Sequence, residues 1–152
     1  MKKIIPLKEH ILEGELQSFE DSRGDAALVR VKQRTLRCFF PEYSSYGWNE
    51  LDNLSKLHTL EGKKINFFFK LFYLPDEIEY ARKKNMEITL KQNVTYDING
   101  IIKEAINAPS NLAVLDFGFP AYLDVADLGA MNIKEGDWIK IRARLDAYIV
   151  NK

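Results

Sequence analysis

Hydrophobic and polar residues alternate with a period of two through most of the chain. From Trp138 to Val150 one face carries Ile139, Ile141, Ala143, Leu145, Ala147 and Ile149, and the other carries Lys140, Arg142, Arg144 and Asp146. In a pleated strand every second side chain lies on the same face, so this stretch predicts a long half-buried strand. The turn Lys134-Glu135-Gly136-Asp137 leads into it. Ala26 to Lys32 repeats the pattern, with Ala27, Val29 and Val31 against Arg30 and Lys32. Asn111 to Phe119 and Tyr122 to Val125 add short apolar runs between turn signals. Two segments follow a helical spacing instead. Glu50 to Leu60 places Leu51, Leu54, Leu57 and Leu60 in one row, and Asp76 to Lys84 opens with acids behind Pro75, which suits a helix start. The pattern predicts an all-β chain of roughly eight or nine strands with one or two short helices, a barrel or a sandwich.

Asn99-Gly100 is a two-residue hairpin signal. Reading straight through it, however, keeps Val94, Tyr96, Ile98, Gly100, Ile102 and Ile106 on one face. That is the cleaner pattern, and it predicts one long strand that bends at Gly100.

Read this way, the two halves of the chain share three anchors in the same order. Leu12-x-Gly14-x-Leu16 matches Ile98-x-Gly100-x-Ile102, and Phe40-Pro41-x-Tyr43 matches Phe119-Pro120-x-Tyr122. Glu61-Gly62, followed by Ile65, Phe67, Phe69, Leu71 and Tyr73, matches Glu135-Gly136, followed by Ile139, Ile141, Ala143, Leu145 and Ala147. The intervals from Gly to Pro are 27 and 20 residues, and those from Pro to Glu are 20 and 15, so a duplication requires loops of different length. Alternation alone does not demand Phe-Pro-x-Tyr, and we read the chain as an internal repeat.

Each half then has a strand with a central glycine, short strands, an optional helix and a long alternating strand behind a Gly-led turn. This order resembles the oligonucleotide/oligosaccharide-binding (OB) fold, a five-stranded Greek-key barrel. The residues that carry the resemblance are Tyr96-Asp97-Ile98-Asn99-Gly100-Ile101-Ile102 and Glu135-Gly136-Asp137-Trp138-Ile139-Lys140-Ile141-Arg142-Ala143-Arg144-Leu145. It implies an OB-like half over residues 1–74 with a helical insertion near 50–60, a connector over 75–93 with a short helix and a strand, and a second OB-like half over 94–152. The second half is short for a complete barrel. Either it borrows a strand such as Met86-x-Ile88-x-Leu90, or both halves close one larger barrel.

One strand departs from simple alternation. Lys64 to Leu74 carries Phe68, Phe72 and Leu74 on the face that also holds Lys64, Asn66 and Lys70. A strand apolar on both faces is covered on both. The cover is expected from the other half or the helix, or else from a partner or a second copy through a Phe68/Phe72 face.

Charge limits the function classes. Lys+Arg and Asp+Glu number 22 each, which removes a whole-molecule basic field. Locally the balance breaks. Between Asp25 and Glu42 stand Arg30, Lys32, Arg34 and Arg37 with no acid, followed by Phe39, Phe40, Tyr43, Tyr46 and Trp48. Sites for single-stranded nucleic acid combine cations with aromatic stacking platforms, so Arg30, Lys32, Arg34, Arg37, Tyr43, Tyr46 and Trp48 are binding candidates. Lys140, Arg142 and Arg144 form a similar row in the other half. Basic rows on the wet face of a sheet also serve solubility and edge protection.

Catalysis has little to build on. The chain holds no Gly-rich phosphate loop, no Gly-x-Ser-x-Gly and no His-Glu-x-x-His. Cys38 reads as a buried thiol between Leu36 and Phe39, and Asp116, Asp124, Asp127 and Asp137 read as turn and cap residues. His10 and His58 read as surface or helix residues, too far apart in sequence to suggest a metal centre. Neither a cofactor nor a metal is expected. No apolar run approaches the roughly 20 residues of a membrane-spanning helix, and Pro6 and Lys8 break the N-terminal apolar stretch. The expectation is a cytoplasmic, non-catalytic binding protein. Its ligand is single-stranded nucleic acid or, alternatively, a protein partner of an inhibitor, immunity or adaptor type.

Overall fold

The alternating segments pair as strands of an all-β fold. The computed structural model describes residues 4–19, 26–43, 55–106, 111–126 and 131–150. Among these lie β1 (Leu12–Phe19), β2 (Ala26–Val31), β3 (Arg34–Phe39), β4 (Lys64–Phe72) and β5 (Ile78–Tyr80). They are followed by β6 (Glu87–Gln92), β7 (Thr95–Ile106), β8 (Leu112–Asp116), β9 (Pro120–Asp124) and β10 (Trp138–Ile149). In hydrogen-bonding order they run β5-β10-β3-β2-β1-β4-β9-β8-β7-β6, and β10 also pairs with β4 and β7. The pairings link eight strands in a closed circuit that the β4–β10 pairing crosses, with β5 and β6 as two additional strands. None of the described helices is long and apolar enough to cross a membrane.

β7 runs unbroken through Asn99-Gly100, as the one-face pattern predicts. The helical spacing of Glu50 to Leu60 is realised at residues 55–58, where Leu57 is fully buried, while residues 50–54 lie outside the described residues. The helix expected over Asp76 to Lys84 does not form. Pro75–Glu77 makes one 3-10 turn, and Ile78 then pairs opposite Ile141 as the first residue of β5. A short helix must nucleate before it gains hydrogen bonds. Here the strand pairing also buries Ile78.

The chain divides into two compact units, Met1–Phe68 with Asp146–Lys152, and Phe69–Leu145. In the first unit β1 lies antiparallel to both β2 and β4, and β2 and β3 form a hairpin. β3 runs parallel to the end of β10, with Phe39 opposite Asp146. Val150 then donates its N–H to the Asn66 carbonyl of β4 at 2.9 Å. Leu16, Val29, Leu36, Cys38, Ile65 and Phe67 fill the interior. Phe68 is also buried, its ring stacked on Tyr148 at 5.1 Å, so it is not part of an exposed Phe68/Phe72 face.

In the second unit β7 lies antiparallel to β8 and to β10, and β8 and β9 form a hairpin. β9 runs parallel to the end of β4, with Phe69 opposite Ala121. Ile98, Ile102, Leu115, Leu123, Ile139 and Ile141 are its buried centre. Phe72 and Leu74 are 51% and 57% exposed.

Several pairings recur between the units residue for residue. Gly14 faces Ile65, and Gly100 faces Ile139. The Gly62 N–H donates to the Leu16 carbonyl at 2.6 Å, and the Gly136 N–H donates to the Ile102 carbonyl at 2.8 Å. β1 shifts register between Leu16 and Ser18, and β7 shifts between Ile102 and Glu104. Both glycines stand where the neighbouring backbone leaves no room. A Cβ on Gly14 would lie 2.7 Å from the Arg30 carbonyl oxygen, and one on Gly100 would lie 2.5 Å from that of Asp116. The Phe-Pro-x-Tyr motifs do not correspond in this way. Pro41–Tyr43 forms a 3-10 turn after β3, whereas Pro120 opens β9.

Candidate functional site

The β2–β3 hairpin carries the basic run predicted from sequence. Its two turn residues, Lys32 and Gln33, have φ of 48° and 68°, the left-handed pair whose twist matches that of the flanking strands. Val29, Val31, Leu36 and Cys38 point inward. On the outer face Arg30 stands opposite Thr35 and Leu28 opposite Arg37. Arg30, Lys32 and Arg34 are exposed, and Arg37 is half-buried. The hairpin end is therefore a compact cationic tip. It does not continue across β1, where the exposed Glu15 faces Arg30.

Of the aromatic residues expected beside it, those that are described turn inward. Tyr43 is buried, as are Phe39 and Phe40, because the 3-10 turn closed by the Tyr43 N–H on the Phe40 carbonyl folds this segment inward. Tyr43 is thus a core residue rather than a stacking platform. Tyr46 and Trp48 lie outside the described residues.

The second basic row is engaged within its own unit. Arg142 donates from Nε to Asp97 Oδ1 at 2.8 Å and from a terminal nitrogen to Oδ2 at 3.4 Å. Lys91 approaches the same carboxylate at 3.7 Å. The hydrogen bond from Arg142 holds the Asp97 carboxyl below the usual carboxylate range, and Asp97 in turn raises the Arg142 guanidinium. Arg144 is half-buried, its guanidinium carbon 4.5 Å from the centre of the Phe72 ring.

Lys140, the third member of that row, belongs to a feature the sequence pattern does not reveal. It lines a cleft of about 500 Å³ together with Glu79, Arg82, Lys83, Glu87 and Asn99. Residues 81–86 cross from β5 to β6, and the Asn99 side-chain amide donates to the carbonyls of Lys83 at 3.0 Å and Asn85 at 2.6 Å. The helical reading of Asp76 to Lys84 hid this arrangement. Glu79, Arg82 and Lys83 of that segment instead line a cleft.

Cys38 is fully buried, and burial, followed by the charge of Asp146, pushes its thiol far above the ordinary value. Asp116, Asp124 and Asp137 accept backbone N–H groups of Gly118, Ala126 and Lys134 within turns, at 2.9, 3.1 and 2.9 Å. Asp127 lies outside the described residues. His58 stacks on Phe19 at 4.1 Å, and His10 is buried rather than on the surface.

The chain matches no protein-family model and no curated protein.

Proposed function

We propose that each unit is an OB-like barrel, that the two arose by duplication, and that the protein is a non-catalytic binder of single-stranded nucleic acid. The strand orders support the first step. Numbering the strands within each unit, both follow 1-2-3-5-4 and return to 1, with strands 3 and 5 parallel and a glycine in strand 1. In the first unit the helical residues 55–58 stand between strands 3 and 4. β4 serves as strand 4 of one unit and strand 5 of the other, and β10 serves in the reverse sense. The shared registers at Gly14 and Gly100 support the duplication.

The observation that carries the ligand reading is the cationic tip of β2–β3. In OB folds strands 2 and 3 form the ligand face. Here that face presents Arg30, Lys32 and Arg34 to solvent. The corresponding positions of the second unit carry Asp116 opposite Pro120, and Val114 opposite a buried Tyr122. Binding through the first unit alone follows, with phosphate contacts dominating.

Fluorescence anisotropy of a labelled oligothymidine across a salt series tests this. Each phosphate neutralised on a single strand contributes a slope of about 0.7 in log–log, so replacing Arg30, Lys32 and Arg34 by Ser should flatten the slope by about 2. Absence of binding at low salt rules the reading out.

A protein-interaction role rests on a different observation, the exposure of Phe72 and Leu74. Aromatic anchors dominate such surfaces. In that case Phe72→Ser abolishes partner binding and the arginine substitutions leave it intact.

A further inference from the structure

We propose that the cleft beneath residues 81–86 binds a short peptide with both termini free, about three residues long, independently of any nucleic-acid binding by the β2–β3 hairpin. The floor of the cleft is one row of residues across four strands. Register places Glu79 of β5 opposite Lys140 of β10, Lys140 opposite Asn99 of β7, and Asn99 opposite Glu87 of β6. Arg82 and Lys83 join Lys140 in lining it. Among the described residues no ion pair joins Lys140 to Glu79 or Glu87. Asp97, in the neighbouring row, also lines the cleft and feels the charge of Lys140, but its carboxylate is held by Arg142 and Lys91.

The signs of these groups decide the ligand class. A simple anion would meet Lys140, Arg82 and Lys83 but also face Glu79 and Glu87. A simple cation would meet the two glutamates against three positive charges. Unpaired like charges discriminate against both, whereas a zwitterion satisfies each set at once. Spacing decides the length. Adjacent strands lie about 4.8 Å apart, so Lys140 and Glu87, two strands apart, are separated by roughly 9–10 Å along the sheet. An extended chain advances about 3.3–3.6 Å per residue, so three residues place a carboxylate at Lys140 and an ammonium at Glu87. The volume of about 500 Å³ lies within the range of small-ligand sites. The Asn99 amide fixes the crossing segment before any ligand arrives, so binding need not order it.

The test is calorimetric and NMR titration of the full chain with triglycine. Saturable binding is expected, with amide shifts concentrated at residues 79–89, 97–99 and 140. Acetylating the ligand's amine or amidating its carboxylate should each weaken binding at least tenfold, and free glycine should bind at least tenfold more weakly. Lys140→Met and Glu87→Gln should each weaken triglycine at least tenfold at unchanged thermal midpoints. Inorganic phosphate should not compete. No saturation at millimolar triglycine, equal affinity for glycine or the blocked peptides, competition by phosphate, or indifference to both substitutions would each overturn the proposal. The oligothymidine titration reads the other unit, so the two ideas fail separately.

Discussion

Arg142 on β10 and Asp97 on β7 face each other in register and are joined by an Nε–Oδ1 hydrogen bond of 2.8 Å. That bond takes the most promising cation of the second basic row out of service as a ligand contact. It also makes a specific demand on pH. Asp97 has a folded pKa below its unfolded value, so its contribution is fully present above about pH 4 and is lost as pH falls through the folded value. Asp97→Asn should therefore lower the thermal midpoint at pH 6, and the gap from the parent should shrink as pH falls below about 4. A gap independent of pH would mean that the charge is not what Asp97 contributes.

Gly100 should tolerate no side chain. The nearest atom to an added Cβ is the Asp116 carbonyl oxygen at 2.5 Å, part of the backbone of β8, which cannot rotate away. Gly100→Ala should cost about 1–3 kcal/mol in urea unfolding, as overpacking does. Gly14→Ala should behave alike for the same reason on β1, where the Arg30 carbonyl oxygen stands 2.7 Å away.

Gln33 pays the opposite penalty. Its φ of 68° is left-handed, a conformation costing an L-residue roughly 1–2 kcal/mol that glycine avoids. Glycine's extra unfolded-state entropy offsets part of this, so Gln33→Gly should stabilise by up to about 1 kcal/mol. Its charge-neutral character makes it a control for the hairpin, since oligonucleotide affinity should stay unchanged in the anisotropy assay.

Cys38 should be inert while the protein is folded. Thiolate is the reactive form, and burial disfavours it. Labelling by a thiol reagent at pH 8 should therefore proceed at the rate of unfolding and become immediate in urea. Because the folded pKa is raised, this group's contribution is intact below the unfolded thiol pKa of about 8.5 and declines above it. Stability measured from pH 8 to 10 should fall less in Cys38→Ala than in the parent.

Alternation of side chains marked most of the strands, though not β5, because a period of two reflects only the local pleat and needs no knowledge of the partner strand. It also marked Gly14 and Gly100, which face Ile65 and Ile139, and the turns at Gly62 and Gly136. It marked Arg30 and Lys32 as outward, and both are exposed. What alternation could not decide is what lies against each face. Phe68 and Phe72 share one periodic face, yet Phe68 is buried on Tyr148 and Phe72 is half-exposed. Tyr43 has the composition of a stacking residue but is turned inward, and Lys140, Arg142 and Arg144 look alike in sequence yet meet a cleft, a carboxylate and an aromatic ring. Those outcomes depend on pairings between residues tens of positions apart, such as Asp97 with Arg142 and Ile78 with Ile141. Non-local register alone brings such residues together, and with them the cleft beneath residues 81–86.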